Sequence, residues 1–126
     1  MSAAAGSQSI EPVKIAALEK IVERNQVWSR MTGKYGVENP VPPWKTSLDG
    51  ICDALDHTMC SANIPDFKQR RDEEDALSAT VYSRLPYPES QLVSLAHSLV
   101  VRGVINETEL LQRLTSIRAR LESLTR

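Results

Sequence analysis

Three side chains that can bind a transition metal, Asp53, His57 and Cys60, stand at positions i, i+4 and i+7 of one segment. If that segment is helical, all three lie on one face, because residues three and four apart are neighbours on a helix surface. A carboxylate, an imidazole and a thiolate suit zinc or cobalt. No second segment contributes ligands, however. We therefore favour the alternative, in which Asp53 and His57 are solvated and Cys60 lies at a fraying helix end.

Cysteine-based nucleophilic catalysis would require Cys52 or Cys60 beside His57 or His97. No catalytic motif surrounds either cysteine, and Cys52 falls on an apolar helix face, where a thiol is usually inert. His97 stands between apolar positions, so we expect a half-buried or surface side chain rather than a base. The sequence also has no nucleophile elbow and no glycine-rich phosphate loop. We predict no complete active site in this chain.

The adjacent basic residues Arg70 and Arg71 are candidates for binding an anionic group. Neighbours on a helix point about 100° apart, so only one of them can face a given target. The alternative is a solvated helix face on which the arginines pair with nearby acidic residues, Glu73, Glu74 or Asp75. From the residues alone we favour the solvated face.

These candidates must be positioned by a chain whose apolar periodicity predicts an all-α fold of about five helices. Residues 1–9 are small and polar and predict a flexible tail. Residues 10–31 predict an N-terminal helix, because Val13, Ala17 and Ile21 follow helical spacing. Residues 46–126 predict a helical domain, with helices expected over 46–60, from 66 to about 84, and in two C-terminal segments.

The prolines between these parts predict an extended Pro-rich arm over residues 32–45, since proline fixes its own φ and restricts its predecessor. The arm either lies along a partner chain or packs on its own helices, and the residues leave both open. Further on, Gly103 stands where a helix ends, and Asn106 with Glu109 forms a variant capping box. We expect the two C-terminal helices to pack as an antiparallel pair.

Composition argues against several classes of protein. A formal net charge of −1 and 5% aromatic residues do not favour nucleic-acid binding. The apolar runs are far shorter than the ~20 residues that cross a bilayer, and the first residues lack a secretory signal. We therefore expect a cytoplasmic protein without membrane contact. On one helix Cys52 and Cys60 would lie ~12 Å apart, too far for a disulfide.

Two segments of this chain resemble a known family. Residues 31–36 (Met-Thr-Gly-Lys-Tyr-Gly) resemble a Met-Thr-Gly-Tyr-Gly stretch near the start of nitrile hydratase beta subunits. Residues 87–92, followed by 99–110, resemble a helix of those subunits and the segment that leads into the next helix. The likeness covers roughly residues 31–120 and stops where the family's C-terminal β-barrel half would begin. It implies the helical half of a beta subunit as a separate chain, which is most similar to thiocyanate hydrolase alpha subunits.

The resemblance implies a part in cobalt enzyme chemistry. Thiocyanate hydrolases convert thiocyanate to carbonyl sulfide and ammonia at a cobalt centre, which another subunit holds through a cysteine cluster with two oxidised cysteines. This chain has no such Cys-x-x-Cys-Ser-Cys cluster. The implied partners are the metal-carrying subunit and a sister subunit that resembles the other half of nitrile hydratase beta. The residues that select thiocyanate over an organic nitrile are expected on those other chains.

The resemblance also gives the two arginines a role. Beta subunits of this family supply arginines that hydrogen-bond to the oxidised cysteine oxygens, and the match at Tyr87 places one of them at Arg71, or at Arg70 if the alignment shifts by one. A guanidinium offers a planar fork of donors that suits oxygens on adjacent sulfurs. Two alternatives stay open: an activator or metallochaperone of a nitrile hydratase, for which Asp53, His57 and Cys60 would be ligands, and a helical interaction module.

Overall fold

The structure, a computed structural model, describes residues 13–57 and 63–124. Within these ranges the chain is all-helical and contains no strand, which confirms the predicted class. The described residues form six helices: α1 (Ala16–Arg24), α2 (Trp28–Tyr35), α3 (Lys45–Asp56), α4 (Phe67–Ala79), α5 (Glu89–Val101) and α6 (Glu107–Leu124). None of the helices described combines the length and the apolar character needed to cross a membrane.

The helix expected over residues 10–31 is two helices, and residues 10–12 lie outside the described ranges. Asn25 ends α1 in the left-handed region with φ 51°, where asparagine is better tolerated than most residues. The turn allows Val27, 2% exposed, to join the core beside α1 before α2 begins. The prediction of one continuous helix is therefore wrong at this point, because burying Val27 requires a change of chain direction.

The Pro-rich arm is shorter than the expected range 32–45. Helix α2 extends to Tyr35 and ends at Gly36, whose φ of 70° is a left-handed conformation that glycine adopts without strain. Helix α4 also ends early, at Ala79 rather than near Arg84. After it the Tyr82 N–H donates to the Leu77 carbonyl at 2.9 Å, which turns the Tyr82 side chain into the core.

The main core brings the first and the middle parts of the chain together. It consists of eight buried residues: Ile15, Leu18, Val22, Val27, Leu77, Tyr82, Leu85 and Val93. A smaller cluster joins α3 to α5 through Leu48, Leu95 and Leu99. Burial of apolar surface of this kind is the main stabilising contribution in a small domain.

The two C-terminal helices have different principal neighbours. Helix α5 packs mainly against α4, whereas the principal contact of α6 is α1. Gly103 turns the chain between them with φ 76°, and the Glu109 N–H donates to Asn106 Oδ1 at 2.9 Å, as the sequence predicted. The turn was therefore predicted correctly. The expected antiparallel pairing of α5 and α6 is not the main contact of either helix. A groove separates much of α6 from α5.

Candidate functional site

The two candidate arginines are the fourth and fifth residues of α4. Asp66 precedes that helix and accepts the Gln69 N–H at 2.8 Å, while Gln69 Oε1 accepts the Asp66 N–H at 2.9 Å. This reciprocal capping box satisfies two backbone donors and fixes the start of the helix. Sequence analysis missed it, although Asp66 followed three residues later by Gln69 is a signal for it.

The Arg70 side chain binds groups of its own chain. Its guanidinium forms a salt bridge with Asp56 and donates to the Pro65 carbonyl at 3.1 Å, and its side chain is 10% exposed. A longer hydrogen bond of 3.5 Å reaches the Cys52 carbonyl. Arg70 therefore ties α3 to the start of α4, and its donors are directed at its own chain.

Arg71 points away from these groups. It is exposed and makes no hydrogen bond or salt bridge to the described residues. Of its expected acidic partners, Glu73 instead binds Arg102, and Glu74 interacts with Arg71 only at a distance. Burial raises the pKa of Glu74, and the nearby positive charges of Arg71 and Lys45 oppose that rise. The expected salt bridges of Arg71 on a solvated face are thus not formed.

Arg71 lines a cleft of about 430 Å³ between α3, α4 and α5. Phe67 and Tyr87 also line the cleft, and these aromatic side chains are 63% and 64% exposed. Lys45 Nζ lies 5.4 Å from the centre of the Tyr87 ring, at cation–π distance. The cleft therefore presents a guanidinium and two aromatic rings at the surface, a combination enriched at protein interfaces.

Gln91 adds an unsatisfied group to the same cleft. Its Oε1 is buried and has no hydrogen-bond partner among the described residues. A buried acceptor without a partner costs free energy, so a donor supplied from outside the chain would be favourable there. Residue spacing alone could not indicate this feature, because it depends on contacts between helices.

Cys52 forms part of the cleft lining and is half-buried. Burial raises the pKa of its thiol above the ordinary value, and the positive charge of Arg70 partly offsets the effect. A thiol with a raised pKa is a poor nucleophile at neutral pH, because the thiolate is the reactive form. This geometry favours a packing role for Cys52.

Two of the three candidate metal ligands are described. Asp53 on α3 and His57, the residue that follows α3, are both exposed, and His57 Nδ1 lies 2.8 Å from the Asp53 backbone carbonyl oxygen. That backbone hydrogen bond and the Asp53 carboxylate raise the pKa of His57. Cys60 lies outside the described residues. Within 13–57 and 63–124, no three His, Cys, Asp or Glu side chains form a cluster that could hold a metal ion.

His97 differs from the expectation of a half-buried or surface side chain. It is fully buried, and its Nδ1 lies 2.7 Å from the Tyr82 hydroxyl, which is also fully buried. Burial raises the pKa of Tyr82 well above its usual range, so the hydroxyl remains protonated. The imidazole is thus positioned as a core polar group, away from the Arg71 cleft.

Part of the arm packs on the chain's own helices, which is one of the two interpretations left open by the sequence. The Trp28 indole N–H donates to the Asn39 carbonyl at 2.8 Å, and the Val41 N–H donates to Asn39 Oδ1 at 2.9 Å. The first bond holds the arm to α2, and the second stabilises a turn within the arm. Tyr35, Val37 and Val41 nevertheless remain largely exposed, so much of the arm's apolar surface is uncovered.

Comparisons with known proteins give no match: no family model, no curated protein and no solved structure is similar to this chain at a significant level.

Proposed function

We propose that this chain is an accessory subunit of a cobalt-dependent thiocyanate hydrolase, an enzyme that hydrolyses thiocyanate to carbonyl sulfide and ammonia. In this proposal the chain binds no metal itself. It packs on the metal-carrying subunit, with a sister subunit beside it, and contributes to the shape of the active site. The resemblance of residues 31–36 and 87–110 to nitrile hydratase beta subunits motivates the proposal.

The observation that best supports it is the different environment of the two adjacent arginines. Arg70 is 10% exposed and bound to Asp56, whereas Arg71 is exposed at the edge of the cleft without a hydrogen bond to the described residues. An arginine with unused donors can supply a bidentate contact to a partner. Arg71 is therefore the residue we assign to the oxidised cysteine oxygens, in place of Arg70.

The cobalt centre would act as the Lewis acid on which the substrate is hydrated. The role that we propose for this chain is different, because the cleft offers an exposed arginine as a donor. The Arg71 guanidinium would donate to the sulfinate and sulfenate oxygens of the neighbouring subunit and keep those ligands charged and oriented. The exposed rings of Phe67 and Tyr87 would then be covered by the same subunit.

Native mass spectrometry with metal analysis tests this proposal on the protein purified from its own cells. We expect a complex of several subunits in which cobalt remains with another chain when the subunits are separated. If this chain is found alone and carries the metal itself, the accessory-subunit proposal is wrong. The metallochaperone alternative then applies, and Asp53, His57 and Cys60 become the residues to substitute.

A second test separates thiocyanate from organic nitriles. The purified complex is given each substrate, and carbonyl sulfide, ammonia or amide is measured. Release of carbonyl sulfide from thiocyanate supports the proposed reaction. Conversion of nitriles to amides without carbonyl sulfide from thiocyanate would instead indicate a nitrile hydratase.

A further inference from the structure

An apolar groove lies between α6 and the helices α1 and α5. It encloses about 560 Å³. Its apolar lining comes from all three helices and includes Ile21, Leu92, Val93, Leu114, Ile117 and Leu121. None of these residues belongs to the Arg71 cleft.

The spacing of the apolar residues on α6 indicates what shape fits this groove. Five of them alternate at intervals of four and three residues, the spacing of a helix that packs along another helix: Leu110, Leu114, Ile117, Leu121 and Leu124. Leu110 and Leu114 are partly buried, and Leu110 packs against the main core. Exposure then rises to 44% at Ile117, 54% at Leu121 and 74% at Leu124. These five residues form the apolar seam of α6, which thus continues for two turns beyond its partly buried residues.

The charges beside the seam are mainly positive. On α6, Arg113 and Arg120 flank it on one side and Arg118 on the other, and all three side chains are exposed. Lys20 and Arg24 line the groove from α1. The acidic lining residues are Glu89, whose carboxylate accepts the Trp28 N–H, and Glu122, which lies 3.5 Å from Arg118.

This charge pattern does not suit a second copy of the same helix. In a parallel pair, Arg113 of one copy would face Arg118 of the other. In an antiparallel pair, Arg113 would face Arg120, and Arg118 would face its own counterpart. Like charges opposed across such a seam are destabilising. A helix with acidic flanks would instead pair with every one of these arginines.

We propose that the groove between α6 and the α1–α5 surface binds an amphipathic helix of another polypeptide, with a Leu/Ile seam and Asp or Glu on both flanks. The helix extends the apolar seam over Ile117, Leu121 and Leu124. Its acidic residues lie beside Arg113, Arg118 and Arg120. This inference goes beyond the proposed function and stands without it, because it rests on α6 and not on the Arg71 cleft.

The probe is a designed peptide of about 21 residues, with Leu and Ile at four–three spacing and Glu at the flanking positions. A matched control peptide carries Lys at those flanking positions. Both are labelled and titrated with the full chain, and fluorescence anisotropy is measured at low and at high salt. We expect the glutamate peptide to bind at least about tenfold more tightly than the lysine peptide, with the difference reduced by salt.

Variants show whether binding uses the groove. Leu121→Asp, at a residue 54% exposed, is expected to abolish binding, and Val104→Asp, 41% exposed and outside the groove lining, is the matched control that retains it. Replacing Arg113, Arg118 and Arg120 together by Glu is expected to reverse the preference toward the lysine peptide. Circular dichroism of each variant checks that the helices are retained.

Three results would overturn the inference. The first is equal binding of both peptides, or binding of neither, by the folded chain. The second is unchanged binding by the Leu121→Asp variant. The third is a dimer of this chain in sedimentation that dissociates on Leu121→Asp, because the groove would then be covered by a second copy.

Discussion

The Glu89 carboxylate accepts the backbone N–H of Trp28 at 2.7 Å, so a residue of the first turn of α5 caps the N-terminus of α2. Val27, the residue before that helix, provides no side-chain cap. A negative charge at a helix N-terminus is favourable because the unpaired N–H groups there carry partial positive charge. Glu89 is 9% exposed, so this contact is protected from water and couples α2 to the core helix α5.

Glu89→Ala is expected to lower the free energy of unfolding by about 1 kcal/mol, the usual effect of losing an N-terminal cap. Glu89→Gln keeps an acceptor but removes the charge, and we expect a smaller loss. Hydrogen exchange is the measurement: the α2 amides should exchange faster relative to those of α5. Unchanged protection of α2 in the alanine variant would contradict this role for Glu89.

Arg71→Ala is expected to leave the fold of the isolated chain intact, because the side chain is exposed and makes no hydrogen bond to the described residues. In the thiocyanate hydrolase complex that we propose, we expect turnover to fall by about 10- to 100-fold, the usual effect of losing a residue that orients metal ligands. Arg30→Ala, at an exposed position on α2 outside the cleft, is the control. Full turnover in a fully assembled Arg71→Ala complex would exclude the assignment.

Arg70→Ala should have the opposite effects. It removes the guanidinium that binds Asp56 and the Pro65 carbonyl, so we expect a loss of about 1–3 kcal/mol in the free energy of unfolding. Denaturant unfolding of the isolated chain measures this loss. A stable Arg70→Ala chain together with an unstable Arg71→Ala chain would reverse the roles assigned to the two residues.

The salt bridge between Glu73 and Arg102 is expected to be the most sensitive polar contact between α4 and α5. Both Arg102 Nη atoms donate to the Glu73 carboxylate, and the two side chains are 11% and 22% exposed. Arg102→Ala leaves a carboxylate buried without its partner, at a cost of about 3 kcal/mol. The double variant Glu73→Leu/Arg102→Leu should recover part of that loss. If the double variant is less stable than either single one, the two residues act independently.

Cys52 should titrate above an ordinary thiol, because burial raises its pKa. In a Cys60→Ser background, alkylation of Cys52 by iodoacetamide should therefore become fast only at a higher pH than in the unfolded chain. The thiol contributes its stabilisation below the ordinary thiol pKa of 9.0, and that stabilisation is lost as the pH rises through the folded value. A lower titration midpoint in the folded chain than in the unfolded chain would disprove the packing role.

Tyr82→Phe is expected to destabilise the chain by about 1–3 kcal/mol, because it leaves the buried His97 Nδ1 without the hydroxyl at 2.7 Å. Tyr35→Phe, at a residue 66% exposed, is the matched control and should change stability by less than about 0.5 kcal/mol. Thermal or denaturant unfolding gives both values. Equal stability of the two variants would show that the Tyr82–His97 contact contributes little.

The parts of the fold that local signals determine could be predicted from the sequence. Gly103 and Asn106 act within one or two turns of their own position, and the structure has the turn and the cap that they indicate. The break at Asn25 was missed because helical spacing continues through it, while the burial of Val27 depends on packing against residues far along the chain. Its signal was the asparagine, a residue that tolerates φ > 0.

The candidate site was predictable only in part. The sequence placed Arg70 and Arg71 together but could not decide which one is available. Arg70 is less available than Arg71 because it forms a salt bridge with Asp56, which lies on a different helix, α3. Likewise, the burial of His97 depends on packing between α5 and the segment after α4, where the Tyr82 hydroxyl lies 2.7 Å from the His97 Nδ1. Contacts between separate elements are not encoded in residue spacing.

The caps of the first two helices have a consequence for synthesis of the chain on the ribosome. Glu89 accepts the Trp28 N–H and Glu107 accepts the Ala17 N–H, so each early helix receives its acceptor from a part of the chain made much later. Val93, which completes the core around these helices, is also translated after them. The nascent segment that contains α1 and α2 therefore leaves the exit tunnel without its caps and without half of the eight core residues, Leu77, Tyr82, Leu85 and Val93. Stable folding of these two helices must wait until Glu107 has been translated.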